Sequence, residues 1–187
     1  MEGAAHEHME GGNKRTALVI AVLALFLAIV ETGAKSAQTA ALSANVEAAN
    51  LWSFFQARTV RQTTNNAAIA AADLQKLTAT DDAVRGKIEA QQKAWRDQVS
   101  SWESNGTDGR KELTANARKA EEQRDRSLAA YHMYEYGAAL LQVAIVIASA
   151  TIITGTPALI LVGLALALGG VGLGAVGFFA PGMFGHH

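Results

Sequence analysis

The chain of 187 residues contains no cysteine. That excludes disulfides, thiolate catalysis and cysteine-ligated zinc, and it leaves the redox compartment open. Its two prolines, Pro157 and Pro181, both stand near the C-terminal end. Residues 1–156 are therefore free of the one residue that breaks helices outright. A charge imbalance is also missing: the formal net charge is −1, so no basic surface argues for nucleic acid. No P-loop, dinucleotide glycine pattern, GxSxG or HExxH occurs, and no residue is marked as catalytic, cofactor-binding or metal-binding. A protein that is not an enzyme and carries no cofactor is expected. Histidines are few. His6, Glu7 and His8, with Glu10 near, could touch a metal, but the acidic, glycine-bearing segment 1–15 reads as a solvated, mobile tail. His186 and His187 are either native or a purification remnant.

What the chain does hold is long apolar runs. Residues 138–154 carry no charge, and residues 158–179 carry neither charge nor any hydrogen-bonding side chain. A membrane span needs roughly 20 apolar residues at about 1.5 Å rise each. The second run meets this, and the first does so if Tyr134 and Tyr136 sit in the interface, where amphipathic rings are favoured. Thr154, Gly155, Thr156 and Pro157 separate the two, glycine permitting a helix end and proline opening the next helix. So short a connection makes the spans antiparallel. The last run places Gly163, Ala167, Gly170, Gly174 and Gly177 at spacings of 4, 3, 4 and 3. Small residues in register let helix backbones approach closely in lipid, so this stripe is read as a helix-packing interface. Gln142, Ser149 and Thr151 are too little polar lining for a conducting pore.

A third apolar run, residues 16–30, follows Lys14 and Arg15 and is closed by Glu31. Two readings compete. One is a secretory signal, with Thr32, Gly33 and Ala34 as a small-residue cleavage site. The other, favoured here, is an uncleaved first span whose flanking basic residues snorkel, because the alanine-rich helical pattern continues past that site without a loop. Glu31 at the membrane edge is a functional candidate by default, but at the end of a run the hydrated, interfacial reading is preferred. His132 beside Glu135 could serve as a pH-sensitive group. The belt it forms with Tyr131, Tyr134 and Tyr136 is the reading preferred.

Between the first and second spans the pattern is helical. Ala34, Ala37, Ala41, Ala44, Ala48, Leu51 and Phe55 alternate spacings of 3 and 4, the signature of a coiled-coil seam. The aromatics Trp52, Phe54 and Phe55 cover too wide an arc to point one way, so Trp52, Phe54 and Arg58 are candidate partner contacts. Thr63, Thr64, Asn65 and Asn66 suggest a kink, since such side chains compete for backbone hydrogen bonds. Residues 78–82 read as a stop and an N-cap. A second helix follows, with Val84, Ile88, Trp95 and Trp102 near heptad spacing. Residues 104–109 break it; Asn105, Gly106 and Thr107 form a nominal glycosylation sequon that reads as a surface turn. A third helix starts near Arg110, with Leu113, Ala117 and Ala120 as its apolar edge and Arg118, Glu122 and Arg126 on a solvated face.

The stretch LWSFFQARTVRQ, after an alanine-rich helix that follows an N-terminal span, resembles an uncharacterised family of bacterial membrane proteins known only as a domain of unknown function. So does the run from Tyr131, His132, Met133, Tyr134, Glu135 and Tyr136 into the apolar residues 139–149. The resemblance covers most of the chain, least so residues 65–115. It implies three spans with the N-terminus inside, and no catalytic residue. Family members often place basic residues between the last two spans, where this chain has Thr154, Gly155, Thr156 and Pro157.

The expectation is thus an all-α integral membrane protein: a tail over 1–15, transmembrane helices over 16–30, 138–154 and 158–179, a long extramembrane antiparallel, coiled-coil-like helical stalk over 31–137, and a short tail over 180–187. An outgoing helix of about 47 residues is roughly 70 Å long, and the two return pieces sum to roughly 78 Å. They therefore lie end to end, with the break near Asn105 as a joint. Basic residues near the stalk's ends favour a cytoplasmic stalk by count, but the first span usually dominates, and with the resemblance it puts the stalk outside a bacterial inner membrane. The functional expectation is a self-associating scaffold, a homo-oligomer in the lipid bilayer. The alternative is an accessory subunit of a larger membrane complex.

Overall fold

A computed structural model of the chain describes the backbone of residues 2–104, 106 and 109–183, and the side chains among them from Lys14 onward. His6, Glu7, His8, His186 and His187, and most of the sequon, lie outside the described side chains. Among the described residues there are four α-helices and no strand: α1 Glu2–Thr78, α2 Asp82–Glu103, α3 Arg110–Thr154 and α4 Ala158–Phe179.

The proline-free sequence explains how α1 runs so far. It passes residues 63–66 without a break. There the Thr63 and Thr64 hydroxyls donate to the carbonyls of Thr59 and Val60, at 3.0 and 2.9 Å, and the helix absorbs the competition. It stops where Asp81, in extended conformation, accepts from Ala83 N at 2.7 Å and caps α2. Arg85 Nε closes that turn by donating to Ala79 O at 2.8 Å. After α2, Gly106 adopts φ 59°, a left-handed value that costs glycine little. Between α3 and α4, Gly155 does the same at φ 67°, donating its N–H to Thr151 O at 2.9 Å, and Pro157 then starts α4.

Three of the helices, α1, α3 and α4, are long and apolar enough to cross a membrane. Their outward residues in these segments include Leu18, Leu25, Ile29, Val146, Leu161 and Leu168, all exposed. A surface of that kind is favourable against hydrocarbon and unfavourable against water.

The chain divides into two compact units, Met1–Leu42 with Gln123–His187, and Ser43–Glu122. The first has a core of Leu23 and Val30 from α1, Ala138, Leu141 and Ala144 from α3, and Ala167 from α4. Leu141 and Ala144 are wholly buried. The second unit buries mainly small residues, Ala44, Ala48, Ala72, Ala117 and Ala120, together with Leu113 and two polar side chains, Gln62 and Gln92.

Candidate functional site

No cluster of His, Cys, Asp and Glu able to hold a metal occurs among the described residues. The candidate surfaces are those where helices meet, beginning with α4. Its buried residues are Gly163, Ala167, Gly170, Gly174 and Gly177, the five members of the small-residue stripe. All face other helices of the same chain. A Cβ at Gly170 would lie 2.7 Å from Gly137 O and 2.9 Å from Leu141 Cγ. At Gly163 it would lie 3.1 Å from Ala144 O, and at Gly177 3.2 Å from Met133 Cβ. Gly174 faces α1 instead, 3.0 Å from Val30 Cγ2. The backbones of α3 and α4 thus touch because side chains are missing there. Gly137 is the reciprocal glycine of α3, its own Cβ position 2.7 Å from Gly170 O.

Tyr134 joins the three helices of this unit. A Cβ at Gly33 would lie 2.8 Å from Tyr134 Cε1, and one at Gly177 would lie 3.5 Å from Tyr134 Cδ1. The ring therefore fills a notch that glycine leaves in both α1 and α4. The Tyr131 and His132 rings meet at a 56° tilt with centroids 5.4 Å apart, and both side chains approach Glu135, at 3.3 and 3.6 Å. Glu31 is paired as well, accepting from Gln142 Nε2 at 3.2 Å.

The seam residues stay on the covered side of α1. Ala34 and Ala37 are half-buried and Ala41 is buried in the first unit; Ala44 and Ala48 are buried and Leu51 and Phe55 half-buried in the second. The three partner-contact candidates separate. Trp52 is half-buried, donating from Nε1 to Glu121 Oε1 at 2.9 Å and meeting Phe55 edge-on at 5.5 Å. Arg58 is half-buried. Phe54 is 63% exposed, beside Arg58 and Arg61.

A model of the domain of unknown function DUF4337 matches residues 12–180. The chain belongs to the DUF4337 family. Neither a curated protein nor a solved structure matches it.

In this DUF4337 chain the strongest polar cluster is one that sequence reasoning missed. Gln62, 6% exposed, donates from Nε2 to Val99 O at 3.1 Å and to Glu103 Oε2 at 3.4 Å. Its Oε1 accepts from Arg110 Nη1 at 2.6 Å. Arg110 also pairs with Glu103 at 3.3 Å, and its guanidinium lies 5.0 Å over the Phe55 ring. Gln62 therefore touches both the end of α2 and the start of α3. Farther along, Gln92 Nε2 donates to Ile69 O at 3.1 Å and to Asp73 Oδ1 at 2.9 Å. Asn65 meets Gln98 at 3.2 Å, and Lys76 pairs with Glu89. That lysine holds the Glu89 carboxyl below the usual carboxylate range, by its hydrogen bond and then by its charge. The signal that would have found Gln62 is the seam itself. Continuing the 3–4 alternation past Phe55 gives Arg58, Gln62, Asn65, Ile69, Ala72 and Lys76, none of them exposed.

Proposed function

We propose that this protein is a non-enzymatic, self-associating membrane scaffold: three transmembrane helices carrying a long antiparallel helical stalk. The observation that carries the reading is the division of labour along α1. Its covered face is occupied by helices of the same chain, yet large apolar residues well outside the apolar spans stand exposed: Phe54 at 63%, Val60 at 64% and Leu74 at 68%. Contacts from residues 62, 65, 69, 73 and 76 of α1 to residues 99, 98, 92, 92 and 89 of α2 support the antiparallel stalk, because one number falls as the other rises. The meeting of Gln62 with both Val99 and Arg110 supports a return path of two helices end to end. The three helices long and apolar enough to cross a membrane support a membrane protein, and we assign it to a bacterial inner membrane. Lys14 and Arg15, before the first span, favour an N-terminus inside and an extracytoplasmic stalk.

A second reading, an accessory subunit of a larger membrane complex, is favoured by one feature. Phe54, with Arg58 and Arg61 beside it, offers an aromatic anchor with a basic border. It would dock there rather than through the α4 stripe, which the same chain fills. Amine-reactive crosslinking in native membranes separates the two. A ladder of multiples of 19.6 kDa is expected for the scaffold. Adducts of other masses only would replace it with the accessory subunit.

A further inference from the structure

The outward face of α1 in the second unit carries a second heptad pattern. Alternating steps of three and four from Val46 to Leu77 pass through ten positions, seven of them apolar and three, Ser53, Gln56 and Thr63, polar but uncharged. All ten are exposed and none is charged. Val46 is 52% exposed, Val60 64%, Leu74 68% and Leu77 80%. Solvated helix faces normally carry ionised residues, as α2 does with Arg85, Lys87, Lys93 and Asp97, all exposed. A 3.5-residue apolar repeat is what one helix presents to another in a supercoil.

We propose that a second copy of this chain packs in parallel along this face. The inference rests on the scaffold reading, since copies inserted the same way in one bilayer run their α1 helices in the same direction. Two observations select a second copy over a different partner. A parallel self-pair sets each position against its own counterpart, so any charge in the seam would meet itself; the seam has none. The positions that would flank it hold a single ionised residue, Asp73, which already accepts from Gln92 and faces Arg96 at 4.0 Å. A charged partner would therefore find no complementary group within the seam and only Asp73 at its flanks, whereas this face complements itself. The area also suffices. The segment is roughly 48 Å long and roughly 10 Å wide, about 500 Å² from each copy. The total of about 1,000 Å² stands at the lower limit for a biological interface, and confinement to one membrane raises the effective concentration.

The absence of cysteine permits a clean test. Single variants Val60→Cys and Ala67→Cys, with Lys93→Cys and Asp97→Cys on α2 as references, are oxidised in native membranes. All four sites are exposed, so folding is retained. The expected result is a disulfide-linked dimer several-fold more abundant for Val60→Cys and Ala67→Cys than for the references. Equal or greater yield at Lys93→Cys or Asp97→Cys, while the native mass remains a multiple of this chain, would overturn the face but keep self-association. A native mass of one chain would overturn both. An adduct of Val60→Cys with a different protein would overturn the second copy as occupant. In the paired variant Val60→Lys with Ala67→Lys, like charges meet across the seam. The multimer is expected to fall to one chain with helix content unchanged, and a persisting multimer counts against the proposal.

Discussion

At the scale of single residues, the helical glycines of this chain are not equivalent. Gly170 and Gly172 differ by two positions, roughly half a helical turn, and so face opposite ways. A Cβ at Gly170 would meet backbone at 2.7 Å, whereas one at Gly172 meets nothing within 4 Å. Gly170→Ala must push α3 and α4 apart, and overpacking of this kind costs roughly 1–3 kcal/mol. Gly172→Ala should leave stability unchanged or raise it slightly, since alanine loses less backbone entropy in a helix. Titrating both variants with dodecyl sulfate and following helix content should lower the midpoint for Gly170→Ala alone. Equal midpoints would mean that α4 does not pack against Gly137. Gly33 is small for a similar reason, because a Cβ there would lie 2.8 Å from the Tyr134 ring.

At the scale of elements, the joint where α2 gives way to α3 hangs on Gln62. Its amide accepts from Arg110 and donates to Val99 and Glu103 in a nearly closed environment. Gln62→Leu leaves the Arg110 guanidinium short of an acceptor, where Arg110 Nε already has no hydrogen-bond partner among the described residues. A loss of about 1–3 kcal/mol is expected, against a few tenths for the half-buried Asn65→Ala, which removes only the contact with Gln98. All three tryptophans, Trp52, Trp95 and Trp102, lie in the Ser43–Glu122 unit, so intrinsic fluorescence during urea unfolding reports this unit. The Lys76 and Glu89 pair ties α1 to α2 near the far turn. Because Glu89 titrates below its ordinary value of 4.5, its contribution is present above that pH and fades as the pH falls through the lowered value. Wild-type protein should therefore lose its small advantage over Glu89→Gln as the pH is taken down through and below 4.5. A constant difference across that range would show that the pair adds nothing.

These elements differ in how far the sequence reveals them. The three apolar runs, the stop at residues 78–82 and the break at residues 104–109 are legible, because proline, glycine, capping residues and uncharged length act locally. The α4 stripe is legible because small residues at spacings of 3 and 4 have few other uses in lipid. The lower half of the α1 seam is not, because it changes from alanine to Gln62 and Asn65, and apolar periodicity is blind to a buried amide that finds its partners. In α2 the heptad count of aromatics and aliphatics takes in Val84, which is 45% exposed, and passes over Gln92, which is 2% exposed. Reciprocal contacts such as Gly137 with Gly170 depend on which helices are neighbours, and no single segment encodes that.

At the scale of the molecule, assembly is the role proposed for both the membrane spans and the helical stalk. Orientation is testable in intact cells. Lys93→Cys, exposed on α2, should react with a membrane-impermeant maleimide before lysis if the stalk is extracytoplasmic. Reaction only after lysis would place the stalk inside, as the basic residues at its ends allow. The central claim is self-association, and the native mass of the untagged protein, gently extracted from its own membrane with every co-purifying chain identified, tests it most directly. The expected result is a single species containing several copies of the 19.6 kDa chain and no other protein. One copy alone, or one copy in fixed ratio with other subunits, would contradict the scaffold, and in the second case the function would belong to that larger complex.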